Sequence, residues 1–172
     1  MVIGCGGAGK STFSRQLHKV TGIEVIHLDQ YFWLPNWVEL DKSEWHKKVS
    51  TLCRKERWIM DGNYGGTMDV RMNKADMVIF LDRSRWLCLF RVIKRIVTHY
   101  GKTRIDMGKG CKEKFSWEFI MYIYHYNRIR KPKILKKLSK LNFDKEIIIL
   151  KTDKEIYTCL SEMKNRYTTW DT

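Results

Sequence analysis

Apolar positions along the chain follow two rhythms. Short, mostly apolar runs (Met1 to Gly4, Glu24 to Leu28, Trp58 to Met60, Met77 to Leu81 and Glu146 to Leu150) predict buried strands. Between them the spacing turns helical. Residues 10–21 carry Phe13, Leu17 and Val20 and stop at Gly22, and residues 84–99 place Leu87, Phe90, Ile93 and Val97 on one face. Asp41 and Glu44 form a capping box ahead of a helix running to about Lys55. Ser116 caps a further helix that Pro132 should end or kink near Lys131, and Asp153 opens the last one. Strands alternating with amphipathic helices predict an α/β protein with a parallel sheet covered on both faces.

Two segments lack either rhythm. Residues 29–40 form an aromatic stretch with Tyr31, Phe32, Trp33, Pro35 and Trp37, and residues 100–115 are rich in glycine and lysine and read as a mobile loop. No repeat or linker interrupts the chain, so residues 1–172 are expected to form a single domain with a lid-like insert at about 100–115. The first strand is an oddity, because only three apolar residues precede the following turn. Either it starts further upstream or it is short.

Composition narrows the class. With 44% apolar residues, 13% aromatics and two prolines in 172 residues, the chain is neither disordered nor collagen-like. Its longest apolar runs fall far short of a membrane span, so no membrane partner is expected. Glycine-rich sequence from Gly4 onward argues against a secretory leader. The five cysteines are scattered without metal-ligand spacing, which predicts reduced thiols in the cytoplasm and no zinc site.

The clearest chemical signal is Gly4-Cys5-Gly6-Gly7-Ala8-Gly9-Lys10-Ser11, a phosphate-loop pattern between a strand and a helix. Glycines allow successive N–H groups to converge on a polyphosphate, and the helix start adds free donors. Gly4, Gly6, Gly7, Ala8, Gly9, Lys10, Ser11 and Thr12 are therefore candidate nucleoside triphosphate ligands. Lys10 should meet the β- and γ-phosphates, and the Ser11 hydroxyl should meet Mg²⁺.

Three strands end in aspartate beside this loop. Asp61 is the candidate for a Mg²⁺-bound water and Asp29 for a base acting on an acceptor hydroxyl, whereas Asp82 reads as a cap for the following helix. Arg91 and Arg95 share a helix face, where they either clamp phosphates or are simply solvated. Asn73-Lys74-Ala75-Asp76 spells a guanine-recognition signature but precedes its strand instead of following one, and reads as a solvated turn.

Together, the phosphate loop, the strand ending in Asp61-Gly62 and the Arg91/Arg95 pair resemble the adenylate-kinase-like P-loop kinases. The resemblance implies a three-layer P-loop NTPase fold, with a five-stranded parallel sheet in the order 2-3-1-4-5, helices on both faces and a helical lid. It implies ATP and Mg²⁺ as cofactors and an adenylate-kinase-like phosphotransferase, with Ser11 and Asp61 supporting the metal. Arg91 would lie near adenine and Arg95 against phosphates, while Arg104, Arg128 or Arg130 would reach the transferred group. The candidate catalytic set is thus Lys10, Asp29, Asp61, Arg95 and Arg128.

Three longer stretches, residues 27–37, 60–82 and 108–119, are together similar to the DNA topology modulation (FlaR-type) proteins. Where nucleoside monophosphate kinases carry a proline and an arginine after the Asp-Gly pair, this chain has Asn63-Tyr64-Gly65-Gly66. Arg71 is the available substitute for holding an acceptor phosphate. The aromatic stretch 31–37 either encloses the acceptor or packs on its own core.

The net charge of +14 adds a competing reading. Residues 102–145 hold 13 Lys/Arg against four Asp/Glu, with Trp117, Tyr122, Tyr124 and Tyr126 interleaved. Such a segment either attracts ATP and an anionic acceptor or binds nucleic acid. The chain is thus expected to be a phosphotransferase with an unidentified acceptor, the alternative being an ATP-binding protein that acts on DNA.

Overall fold

The computed structural model describes residues 1–141 and 144–168. Its central sheet is built from β1 (Val2–Gly4), β2 (Val25–His27), β5 (Ile59–Asp61), β6 (Met77–Leu81) and β7 (Glu146–Leu150). They run parallel in the order β2-β5-β1-β6-β7, which is the predicted 2-3-1-4-5 arrangement of an α/β P-loop protein. Four successive residues of β6, Val78 to Leu81, are buried. Because neighbouring side chains on a strand point to opposite faces, both faces of the sheet are covered.

The covering layers follow from the helical spacing. α1 (Lys10–Thr21) turns Phe13 and Leu17 inward and packs against α8 (Asp153–Thr168). On the other side α5 (Arg85–His99), α6 (Trp117–Ile129) and α7 (Lys131–Leu138) pack in succession. α3 (Lys42–Leu52) begins at Asp41, whose carboxylate accepts from the Ser43 and Glu44 amides at 2.8 and 3.2 Å, the N-cap half of the capping box. Its Trp45, Val49 and Leu52 form a second core with Ile26 and Met60. Pro132 lies in the first turn of α7, and the break from α6 falls at Arg130.

Several expectations are corrected. The second strand ends at His27, and Asp29 lies in the first turn of a short helix, α2 (Leu28–Phe32), where a carboxylate suits the helix dipole. The aromatic stretch continues into a two-stranded antiparallel hairpin, β3 (Trp33–Leu34) and β4 (Val38–Glu39). Asn73 and Lys74 form the last turn of α4 (Met68–Lys74) and not a loop. On α5 the inward residues are Cys88, Val92 and Ile96, while Phe90, Ile93 and Val97 face outward. Both faces are apolar, so spacing alone could not tell which one packs.

Residues 100–116 contain no helix, contrary to the expected helical lid, and are tied down by long-range contacts. Gln30 Nε2 donates to the Ile105 carbonyl at 2.6 Å, Trp37 Nε1 to the Lys112 carbonyl at 2.9 Å, and Cys111 Sγ to the Leu34 carbonyl at 3.1 Å. A side chain at position 108 would have its Cβ 2.0 Å from the Trp33 carbonyl oxygen, so only glycine permits this docking. The lack of hydrophobic period reflects attachment through backbone groups, not freedom.

Candidate active site

The loop between β1 and α1 has the backbone that its glycines allow. Gly7 and Gly9 adopt φ values of +77° and +97°. A Cβ on Gly7 would lie 2.4 Å from the Cys88 carbonyl oxygen of α5, so the loop is pressed against that helix. α1 starts at Gly9 with no side-chain cap and no acidic residue in its first turn, leaving its dipole and amides for an anion. Lys10 Nζ donates to the Cys5 carbonyl at 3.0 Å, folded back over its own loop. Gly6, Gly7, Gly9, Lys10, Ser11 and Thr12 line a cavity of about 1250 Å³, while Ala8 is buried beneath. This cradle fits a nucleotide polyphosphate, and Ser11 and Asp61 are the oxygen donors beside it.

The two candidate carboxylates both line this cavity, in different settings. Asp61 is buried at the end of β5, 3.0 Å from His27 Nδ1. Asp29 accepts a hydrogen bond from the Tyr64 hydroxyl. Burial pushes the Asp29 carboxyl above the usual aspartate range, and the Tyr64 hydrogen bond and the charge of Lys10 partly offset that rise. The Tyr64 phenol is pushed up, chiefly by burial and then by Asp29, and stays protonated as the donor.

Tyr64 is held in place by a residue with a role the sequence did not reveal. Its backbone is left-handed, at φ +33°, a strained state for a bulky side chain. Arg71 is fully buried and grips the turn through three consecutive carbonyls: Gly62 at 2.9 Å, Asn63 at 2.5 Å and Tyr64 at 3.1 Å. Burial lowers its pKa to about 10, so it remains charged at neutral pH. Committed to this turn and closed to solvent, Arg71 does not hold an acceptor phosphate as expected. Asn63 accepts from the Gly4 amide and donates to the Tyr122 hydroxyl, both at 3.0 Å, joining the start of the phosphate loop to α6. The sequence signal for this pair was the departure of Asn63-Tyr64 from the monophosphate-kinase pattern.

The arginines divide by position. Arg91 lies near Gly9 and lines the cavity, 3.4 Å from Asp153 of α8. Arg95 also lines it, lies 5.7 Å above the Phe119 ring and pairs with buried Glu113 at 3.0 Å. Arg104 is 3.6 Å from the same glutamate and 3.3 Å from Asp106. Burial would raise the Asp106 pKa, but the Arg104 charge and the Ser11 hydroxyl hold it below the aspartate range. Residues 104–113 thus touch both the phosphate loop and α5, a contact with no signal in the sequence. Arg128 and Arg130 are both exposed at the end of α6, but only Arg130, 5.3 Å from the Tyr122 ring, lines the cavity.

Asp82 does not cap α5. It pairs with Lys131 at 2.7 Å. Lys137 pairs with Asp69, and Lys145 donates to the Asn73 and Ala75 carbonyls, so part of the basic segment serves internal contacts. Lys133, Lys136, Lys137 and Lys140 border a smaller groove of about 560 Å³. Phe32, Trp33, Trp37 and Tyr64 line the main cavity, and Phe32 and Tyr64 also pack against Trp45 in the second core, so the aromatic stretch packs on its own core while bordering the cavity.

No known family's sequence pattern matches the chain, and no curated protein matches it. Among solved structures, an unliganded sugar kinase from Janibacter sp. HTCC2649 is similar, with 16% sequence identity and a TM-score of 0.49, over 98% of this chain and 91% of that one. Among the described residues no helix is long and apolar enough to cross a membrane, and all five cysteines are free and buried.

Proposed function

We propose that this chain is an ATP-dependent phosphotransferase of the adenylate-kinase-like kind, acting in the cytoplasm on an acceptor that carries a hydroxyl group. The observation that carries the reading is one cavity shared by an uncapped, glycine-built phosphate cradle and the half-buried Asp29 carboxylate, which accepts from Tyr64 and whose pKa is raised. Bound Mg²⁺ would supply charge neutralisation across the phosphates. With nucleotide bound, Lys10, which here donates to the Cys5 carbonyl, would hold the β- and γ-phosphates, and Ser11 and Asp61 would hold the metal and its water. Asp29, oriented by Tyr64, takes the acceptor proton, for which a carboxyl tuned above the ordinary range is suited. Arg91 and Arg95 line the nucleotide side, and Arg130 takes the place expected of Arg128. The whole chain works as one domain, with residues 100–115 as a lid that excludes water.

The similarity to FlaR-type proteins rests on the sequence motifs, and the lysine groove on α7 keeps nucleic acid as a second reading. One experiment addresses both. ADP release from Mg·ATP is measured over a panel of nucleosides, nucleotides, sugars and oligonucleotides. One class should raise turnover in the wild type, and Asp29→Asn should reduce kcat by roughly 10²–10⁴ without changing the unfolding midpoint. If no acceptor raises ADP release above background, the phosphotransferase reading fails.

A further inference from the structure

The outward face of α5 is largely uncovered by the described residues. Trp86, Phe90, Ile93, Val97 and the capping Tyr100 are 62%, 63%, 51%, 76% and 68% exposed, on a helix whose opposite side already packs into the core through Cys88, Val92 and Ile96. Their spacings of four, three, four and three residues draw a narrow seam of the kind that joins two helices. A helix lying on a bilayer would present a broader apolar arc.

We infer that this seam is the interface of a homodimer in which α5 pairs antiparallel with α5 of a second copy. The seam is self-complementary about Ile93. Trp86 and Tyr100 each lie seven residues from it, and Phe90 and Val97 lie three and four. A two-fold axis at Ile93 therefore sets Trp86 against Tyr100, Phe90 against Val97 and Ile93 against its own copy, as an isologous interface requires. Trp86 is held ready by a T-shaped contact with Tyr124 at 6.1 Å, and the Arg85 guanidinium lies 5.2 Å from its ring.

At roughly 150–250 Å² per large aromatic side chain, the five residues leave on the order of 600 Å² open per copy. Two such faces bury about 1,200 Å², the lower end of a specific interface, and each face reaches the upper end of the largest apolar patch, about 600 Å², that a monomer usually leaves bare. α5 carries no acidic residue, Lys94 borders the seam, and each chain has a net charge of +14. The two copies therefore repel at long range, and added salt should tighten the dimer. Attachment to an anionic bilayer would loosen with salt instead.

The test joins light scattering across protein and salt concentrations with cysteine cross-linking. The expected mass is that of a dimer, favoured by salt. Phe90→Glu should weaken association by about tenfold or more at an unchanged unfolding midpoint. With helix axes about 8–10 Å apart, the two Ile93 Cα atoms approach to about 3.5–5.5 Å, which overlaps the disulfide range. Ile93→Cys should then cross-link under a mild oxidant, whereas Thr98→Cys, exposed but off the seam, should not. A monomeric mass under all conditions, a Phe90→Glu dimer as tight as the wild type, or an Ile93→Cys chain that never cross-links would each overturn the inference. So would a monomer that sediments with phosphatidylserine vesicles and is released by salt, which would assign the face to a membrane surface.

Discussion

Replacing Arg71 by methionine separates a structural arginine from a substrate-binding one. The guanidinium is fully buried and spends its bonds on the carbonyls of Gly62, Asn63 and Tyr64. Hydrogen bonds from a charged donor contribute about 1.5–3 kcal/mol each. Three of them, less several kcal/mol for dehydrating the guanidinium, leave a net loss of about 2–4 kcal/mol in Arg71→Met. For a domain of this size each kcal/mol lowers the midpoint by roughly 2–4 °C, so thermal unfolding followed by circular dichroism should drop by about 4–16 °C. Arg71→Lys retains the charge but cannot span three carbonyls, and should lose at least half as much. Because the same turn holds Tyr64 in its left-handed conformation against Asp29, kcat should fall along with stability. A midpoint within about 1 °C of the wild type, with only the acceptor KM raised, would refute this role and restore Arg71 as a phosphate ligand.

The remaining predictions concern the carboxylates. In Tyr64→Phe the hydrogen bond that stabilises the Asp29 anion is lost, so the Asp29 pKa rises further. The acidic limb of kcat against pH should move to higher pH, and a limb that stays in place or moves down would remove Asp29 as the base. In Glu113→Gln, Arg95 and Arg104 lose the carboxylate that ties residues 104–113 to α5. Breaking such a buried pair costs about 3–5 kcal/mol, so trypsin should cut after Lys102 or Arg104 faster than in the wild type, and acceptor-independent ATP hydrolysis should rise as water enters.

Much of the fold was legible because it depends on pattern. The β/α alternation, the phosphate loop, the Asp41 cap and the Pro132 break each follow from short-range chemistry. What escaped depends on packing partners distant in sequence. Asp29 falls on a helix because the chain turns directly after His27, which β propensity does not register. Arg71 reads as a substitute ligand for an acceptor phosphate until the strained turn it satisfies is seen. α5 offers two apolar faces, and only the sheet decides which is buried. The docking of residues 100–116 on Trp33 and Trp37 runs largely through backbone carbonyls, which leave no trace in side-chain pattern.

The most direct measurement is calorimetric titration of Mg·ATP into the wild type and into Lys10→Ala. A phosphate cradle at the start of α1 predicts one site per chain, weakened by about a hundredfold or more when the ammonium is removed. No detectable binding by the wild type, or equal affinity in the two proteins, would contradict it.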